Sequence, residues 1–221
     1  MTELGCGISA LVAVALAPSV QHYIATDQEY VRRVFRTNLE ANAAVASATS
    51  TSGKQKASKA KGGSSGPTSK AKQPSKAATS NITFTRLDWE LDQPELLKGC
   101  IESESGGHDK GEEEDRGFDL LLSCDCIYNE ALVAPFVRTC AEICSLRPAF
   151  ESSGEETSQT RLQPTICIVA QQQRAPEVFE TWLRETLHEF RVWRLSDKVL
   201  GEGLKVGTGY LVHLLLVREK S

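Results

Sequence analysis

The chain has 221 residues, which suits one domain, and 40% of them are hydrophobic, enough to form a core. Its formal net charge of -4 argues against a general nucleic-acid binder, because such proteins usually carry a basic excess. The apolar stretch Ile8–Ala17 is too short to cross a bilayer, and the only charged side chain before it is Glu3, unlike the basic start of a signal peptide.

The cysteines follow neither a disulfide pattern nor a zinc pattern. There are seven of them, an odd number, and several lie inside apolar runs. No Cys-x-x-Cys pair or histidine pair accompanies the close spacings Cys124/Cys126 and Cys140/Cys144. We therefore expect buried, reduced thiols and no metal site. Reduced thiols indicate the cytoplasm, or also the nucleus. We also expect the protein to be a monomer.

The first part of the chain predicts one half of a doubly wound α/β sheet. A glycine turn separates a strand from a helix, and a β-prone run that ends in an acid precedes a second helix. In chain order these elements are a strand end at Thr2–Leu4, a turn at Gly5–Gly7, a helix at Ile8–Ala17, a strand at His22–Thr26 ending at Asp27, and a helix at Tyr30–Ala44.

Three polar segments interrupt the pattern. Residues of about 47–80 include seven lysines and no acid, and about 102–116 and 151–163 are also polar, so we expect disordered or loop insertions in a single domain. The lysine-rich segment is either a basic arm for RNA or ribosomes or a solvated linker without a function of its own.

The remaining elements complete the sheet. They are strands at Ile82–Leu87, Phe118–Cys124 and Thr165–Ala170, helices at Glu130–Ser145 and Pro176–Phe190, and final strands at Phe190–Leu195 and Tyr210–Arg218. The connection between the last two strands has no room for a crossover helix, so they should pair antiparallel. The predicted fold is α/β, a Rossmann-like sheet that is mostly parallel with an antiparallel C-terminal strand pair.

The turn Glu3-x-Gly5-x-Gly7, which includes Cys6, is the first candidate binding motif. Glycines let a backbone approach a ligand closely, and the N-terminus of a following helix offers free N–H groups. Asp27, at the end of the next strand, can accept hydrogen bonds from both ribose hydroxyls. The turn also matches the dinucleotide pattern G-x-G-x-x-G/A, so NAD stays an alternative to another nucleotide-like cofactor.

Asp88 and Trp89 follow the third strand and should lie at the same carboxyl edge of the sheet. The carboxylate can accept from an adenine amino group, and the indole can pack on a ring. The alternative is a helix N-cap beside a core tryptophan.

Asp125 and Tyr128 follow the fourth strand, next to the glycine turn. An acid and a phenol can hold an attacking amine, which for lysine must first lose a proton, since its ordinary pKa is about 10.4. The alternative is again an N-cap with a packing tyrosine. Arg174, after the fifth strand, is a further candidate to line the site, whereas the histidines form no cluster.

Together, Glu3–Gly7, Leu87–Trp89, Asp125–Tyr128 and the ending Gly209–Leu216 resemble the successive motifs of the methyltransferase-like 21 family of seven-β-strand protein-lysine methyltransferases, and most of all its fungal ribosomal members. The resemblance implies a class I methyltransferase fold and S-adenosylmethionine as the cofactor. It implies a protein substrate of the 60S ribosomal subunit, with Asp125 and Tyr128 around the lysine. The implied cofactor contacts are Gly5, Cys6, Gly7, Asp27, Trp89 and Cys124.

The chain departs from that family at its start. Family members carry a longer segment before the glycine motif, with a tryptophan that contacts the cofactor, whereas here Met1 stands two residues before Glu3. We therefore expect an N-terminally incomplete sheet with a short central strand. The alternatives to a protein-lysine methyltransferase are an inactive truncated remnant or interaction protein without cofactor binding, and a methyltransferase for small molecules or nucleic acids.

Overall fold

The computed structural model describes residues 1–51, 80–102, 117–147 and 163–218, and their strands form one seven-stranded sheet of order β3-β2-β1-β4-β5-β7-β6. The strands are β1 Thr2–Leu4, β2 Tyr23–Asp27, β3 Ile82–Arg86, β4 Leu120–Cys124, β5 Ile166–Gln172, β6 Phe190–Arg194 and β7 Tyr210–Val217. β7 runs antiparallel to both β5 and β6, and the other neighbours are parallel. The predicted mostly parallel sheet with an antiparallel C-terminal pair is confirmed.

Helices cover both faces of the sheet. They are α1 Leu11–Leu16, α2 Arg32–Thr51, α3 Gly99–Glu102, α4 Val133–Ser145, α5 Pro176–Glu189 and α6 Asp197–Leu200. Single turns of 3-10 helix lie at Ala17–Ser19, Glu29–Val31, Pro94–Leu97, Glu130–Leu132 and Glu202–Leu204. Among the residues that the structure describes, no helix is long and apolar enough to cross a membrane.

Two predicted helix boundaries were wrong. α1 begins at Leu11 and not at Ile8, because Ala10 has a φ of 56° and this left-handed backbone cannot belong to an α-helix. α2 continues to Thr51, so Ser47–Thr51 belong to this helix and not to the first insertion. The rest of the predicted insertions lies almost wholly outside the described residues.

Two apolar layers flank the sheet. One packs under α4 and α5 and includes the fully buried Phe136, Ile143 and Trp182. The other packs under α1 and α2 and includes Tyr23 and Phe35. Successive strand residues alternate between these two layers. The segments that leave the carboxyl ends of the parallel strands lie at the edge of the sheet, where a site can form.

The central strand β1 is short, as expected, with three residues. All of them pair on both sides, with β2 and with β4. Its end, Leu4, is fully buried. The glycine turn therefore starts from the centre of the sheet, between the strands that carry Asp27 and Asp125.

Candidate active site

The glycine turn after β1 lies against the segments that follow β3 and β4. Gly5 has a φ of 70°, and a β carbon at this position would lie 2.4 Å from the sulfur of Cys126 and 3.1 Å from Cζ2 of Trp89. The amides of Gly5 and Cys6 both donate to the carbonyl of Thr26, at 2.9 and 3.0 Å. A side chain larger than hydrogen is therefore excluded, and the motifs that were far apart in the sequence meet here.

Asp27 is held by the same turn. The Gly7 amide donates to its Oδ2 at 2.8 Å, and the Gln28 amide donates to its Oδ1 at 2.7 Å. A carboxylate oxygen has capacity for a second hydrogen bond, and the Asp27 side chain is partly exposed. Within the described part of the chain, no heavy atom outside Gly7 and its neighbours lies within 4 Å of the position that a β carbon of Gly7 would take, so these residues leave open space beside the turn.

The glycine turn is not followed directly by a helix. The Gly7 amide is already bound to Asp27, and α1 starts only at Leu11. α1 is also just six residues long. The Gly7 amide is therefore not available to an anion, and the backbone between the turn and the helix is longer than predicted.

Glu3 does not reach the edge of the sheet. Its side chain is 2% exposed on the α1/α2 face, and the Tyr23 hydroxyl donates to its Oε2 at 2.6 Å. Burial raises the pKa of Glu3 to about 7; the hydrogen bond from Tyr23 lowers it, and the charge of Asp27 raises it. Glu3 therefore supports the turn from beneath: it lies close enough to Asp27 and Cys124 for their charges to interact, but its own side chain is buried.

Cys6 is similarly buried. It is 8% exposed, belongs to the apolar layer of α1 and α2, and donates from its sulfur to the carbonyl of Gly7 at 3.5 Å. Burial raises the pKa of the Cys6 thiol far above its ordinary range, so the thiol stays protonated. A cofactor could be met here by the backbone of Cys6 but not by its sulfur.

Asp88 caps a turn and not a helix. Its Oδ1 accepts from the Glu90 amide at 2.9 Å, and its own amide donates to Asp92 at 2.8 Å. A hydrogen bond from the Gln28 side chain lowers the pKa of Asp88 below its usual value, so this carboxylate stays ionised. Gln28 thus connects the segment after β3 with Asp27.

Trp89 lies in the core and also borders the glycine turn. Its ring packs edge-to-face on Phe136, with 5.2 Å between centroids, and its carbonyl accepts from Arg138 at 2.7 Å. The same ring approaches Gly5. Half-buried and anchored in the core, it presents an aromatic surface beside the glycine turn.

Asp125 has the left-handed backbone of the segment after β4, with a φ of 59°. Its amide donates to the carbonyl of Ala170 at 2.7 Å, and its Oδ1 accepts from the Gln172 amide at 3.3 Å. Its Oδ2 forms an ion pair with Nη2 of Arg174. The helix that follows is capped by Asn129, whose side chain accepts from the Ala131 amide at 3.1 Å, so the N-cap alternative for Asp125 was wrong.

Tyr128 is not a packing residue, because 62% of it is exposed. Cys124, just before Asp125, is half-buried; burial, together with the charges of Glu3 and Asp125, raises the pKa of its thiol to about 11. Tyr128 and Cys124 thus flank Asp125 with one accessible phenol and one protonated thiol.

The sequence reasoning missed the role of Cys126. Its sulfur lies 3.4 Å from the carbonyl of Leu4 and 3.5 Å from that of Gly5, and burial raises its pKa to about 12. Its position within the Asp125 motif was the only available signal, since nothing in a sequence reveals which side chain fills the space of a missing β carbon. Gln28 was missed for a similar reason.

These groups share one edge of the sheet, where they could contact the base and the ribose of a nucleoside. Two partly exposed carboxylates, Asp27 and Asp88, follow neighbouring strands, and an aromatic ring lies beside an open glycine turn. A surface groove of about 390 Å³, lined by residues 90–95 with Arg138 and Glu142, lies beyond Trp89 and includes none of the candidate residues. Among the described residues, no group of His, Cys, Asp or Glu is placed to hold a metal ion.

No family model and no curated protein matches the chain. Several solved structures are similar in fold. A methyltransferase from Pyrococcus furiosus has a TM-score of 0.47 and 12% identity over 99% of this chain and 74% of its own. The N-methyltransferase NodS from Bradyrhizobium japonicum, in complex with S-adenosyl-L-homocysteine, has a TM-score of 0.46 and 9% identity; the match covers 99% of this chain and 77% of NodS. A TehB-like SAM-dependent methyltransferase from Corynebacterium glutamicum has a TM-score of 0.45 and 10% identity; the match covers 98% of this chain and 79% of that protein. Likenesses of this size do not assign an activity.

Proposed function

We propose that the chain is an S-adenosylmethionine-dependent protein-lysine N-methyltransferase that acts on a large-subunit ribosomal protein. The observation that carries the proposal is the meeting of Gly5 with Trp89 and Cys126. This contact joins the glycine turn to the segment after β3, which would bind a cofactor, and to the segment after β4, which would receive an amine.

The acceptor groups and the indole at this edge suit the adenosine part of S-adenosylmethionine. Asp27 would accept from the ribose hydroxyls, Asp88 would accept from the adenine amino group, and Trp89 would pack on a ring of the cofactor. The backbones of Gly5–Gly7 and Cys124 would line the remainder. S-Adenosylmethionine has no phosphate, and the Gly7 amide of the turn is already bound to Asp27 and so is not free to bind one.

Methyl transfer needs little from the protein beyond the correct positioning of the amine and the methyl donor. When bound, S-adenosylmethionine supplies a methyl carbon that accepts the amine lone pair while its bond to sulfur breaks and sulfur keeps that electron pair. Asp125 and Tyr128 would orient the amine, which must arrive without its extra proton. The one proton that leaves is lost by the lysine ammonium before the attack, and the methylated product remains an ammonium ion. Tyr128 is suited to this contact by its exposure.

The protein and ribosomal specificity rests on the resemblance of the Asp125–Tyr128 and Gly209–Leu216 segments to the methyltransferase-like 21 family. It is compatible with the open setting of the site, since Asp125 and Arg174 side chains are 41% and 52% exposed and a protruding lysine could reach them.

The test is transfer of a labelled methyl group from S-adenosylmethionine to purified 60S ribosomal proteins. We expect label on a lysine, and Asp125→Ala should abolish it. Asp119→Ala is the matched control, because Asp119 lies at the opposite end of β4, is 85% exposed and pairs with Arg147. Equal labelling by the wild type and Asp125→Ala would contradict the proposed role of Asp125. Label recovered only in nucleic acid or in small molecules would support the other methyltransferase class instead.

A second candidate is an interaction protein that binds no cofactor. The internal ion pair of Asp125 with Arg174 and the burial of Glu3 favour it, because both remove groups that a site could use. Calorimetry with S-adenosylhomocysteine separates the two: measurable heat of binding supports the enzyme, and its absence supports the interaction protein.

A further inference from the structure

The carboxylate expected to receive the substrate amine is already paired with a cation of the same chain. Oδ2 of Asp125 contacts Nη2 of Arg174, and Oδ1 accepts from the Gln172 amide at 3.3 Å. Arg174 is oriented by a second contact, from its Nε to Oε1 of Gln172 at 3.2 Å. Both carboxylate oxygens of Asp125 and the Nε–Nη2 edge of the Arg174 guanidinium are thus already engaged in contacts within the chain.

Backbone contacts hold Asp125 and the residue that precedes Arg174. The Asp125 amide donates to Ala170 at 2.7 Å, and the Gln173 amide donates to Gly209 at 2.8 Å. The pair is nevertheless about half exposed, and exposed ion pairs contribute little to stability. Its fixed position at the edge of the sheet, beside Tyr128, therefore points to a role in the site.

Apart from Arg174, the ionisable groups around the pair do not neutralise the charge of Asp125. They are Cys124, which precedes Asp125; Tyr128 and Glu130, which follow it; and Tyr210 of β7, which pairs with Gln172 of β5. Glu130 accepts from Thr181 on α5 at 3.3 Å, and the Cys124 thiol stays protonated. Among the described residues, Arg174 is the cation within ion-pair distance of Asp125.

An unpaired carboxylate would favour the ammonium form of a lysine, which has no lone pair with which to attack. A carboxylate that already has a counter-cation does not. We propose that Arg174 is a positioning residue whose guanidinium occupies the place at Asp125 that a substrate ammonium would take, so that the lysine is received as the neutral amine. This inference rests on the proposed methyltransferase function.

The decisive variant is Arg174→Gln, with labelled S-adenosylmethionine as the donor and purified 60S ribosomal proteins as the acceptor. Freed Asp125 should bind the ammonium more tightly, so KM should fall, and kcat near neutral pH should fall about tenfold if the pKa of the bound amine rises by about one. The loss should be recovered as the pH rises. A merely structural loss would lower kcat at every pH and would not lower KM.

Arg184→Gln is the matched control, because Arg184 also pairs with a carboxylate, Glu180 at 3.0 Å, but on the exposed surface of α5. Binding of S-adenosylhomocysteine, measured by calorimetry, shows that each variant is folded. Arg174→Lys keeps the charge without the oriented contact to Gln172, and its pH profile should lie between those of the wild type and Arg174→Gln. It serves as the test if Arg174→Gln does not bind.

The outcomes separate the two proposals. If the wild type transfers no methyl group, the proposed function is overturned and this inference with it. If the wild type is active but the folded Arg174 variants have the pH profile of Arg184→Gln, or lose kcat equally at every pH, this inference alone is overturned. A lower KM together with a kcat loss that disappears at high pH supports it.

Discussion

The amide of Gly7 donates a hydrogen bond to Oδ2 of Asp27 at 2.8 Å, which makes the turn after β1 and the acid after β2 one structural unit. The turn orients the carboxylate, and the carboxylate fixes the left-handed backbone of the turn, where Gly7 has a φ of 61°. Because the two residues depend on each other, a change in either one should alter how the turn and Asp27 together bind a nucleoside.

Asp27→Asn should weaken S-adenosylhomocysteine binding by about 10- to 100-fold, because hydrogen bonds to a charged group contribute about 1.5–3 kcal/mol. The amide also has one oxygen for two backbone donors, so the Gly7 or the Gln28 contact is lost. Calorimetry measures the affinity. Asp197→Asn is the control, since the exposed Asp197, at the start of α6, accepts from the Val206 amide at 3.0 Å, and this variant should bind like the wild type. Equal Kd values for the Asp27 and Asp197 variants would refute the assignment.

Gly5→Ala should destabilise the protein by at least about 2 kcal/mol, because it combines positive-φ strain with a collision. The added β carbon would lie 2.4 Å from the Cys126 sulfur. Urea denaturation measures the change, and S-adenosylhomocysteine affinity should fall in parallel. Gly203→Ala is the control, since no heavy atom lies within 4 Å of its β-carbon position and it should have little effect. Unchanged stability of Gly5→Ala would show that the turn is not packed against Cys126.

Glu3→Gln should change how stability depends on pH. The folded-state pKa of Glu3, about 7, exceeds the ordinary value of 4.5, so the folded state binds the proton more tightly. The resulting stabilisation is complete below about pH 4.5 and is lost as the pH rises through about 7. Glutamine has no charge to bury, so the variant should gain up to about 3 kcal/mol relative to the wild type between about pH 4.5 and pH 8.

Urea denaturation at both ends of this pH range measures the effect of Glu3→Gln. The exposed Glu40, on α2, provides the control Glu40→Gln, which should follow the wild-type pH dependence. His213 acts in the opposite direction, because burial and the charge of Arg194 lower its pKa to about 4, so its contribution is lost as the pH falls from about 6.5 through 4. Since every variant retains His213, it cancels in the comparison. A constant difference between Glu3→Gln and the wild type would contradict the prediction.

Thr186→Val should leave stability unchanged or raise it by up to about 1–3 kcal/mol, because the buried Thr186 hydroxyl has no hydrogen-bond partner among the described residues. Thr165→Val is its counterpart. Thr165 is equally buried, but its hydroxyl donates to the Phe118 carbonyl at 2.5 Å, so this variant should lose about 1 kcal/mol or more. Thermal unfolding of both variants measures the difference. A loss at Thr186 as large as that at Thr165 would indicate a bound water at Thr186.

Much of the fold was readable from local patterns. Apolar runs such as Leu120–Cys124 have the composition of buried parallel strands, and the glycine-rich connection before Tyr210 favoured antiparallel pairing of the last two strands. Asp27, Asp88 and Asp125 were placed at the same edge simply because each follows a parallel strand. Such inferences need only the chain order and the direction of each strand.

The tertiary structure alone decided which of the candidates can act. Glu3 became a buried partner of Tyr23, Cys126 filled the space that Gly5 leaves, and Arg174 neutralised Asp125. Each of these relationships joins residues that lie on different strands or in the segments just after them, and each depends on side-chain direction and burial. Neither the spacing of a motif nor its residue types contains that information, because the pairing of the strands creates it.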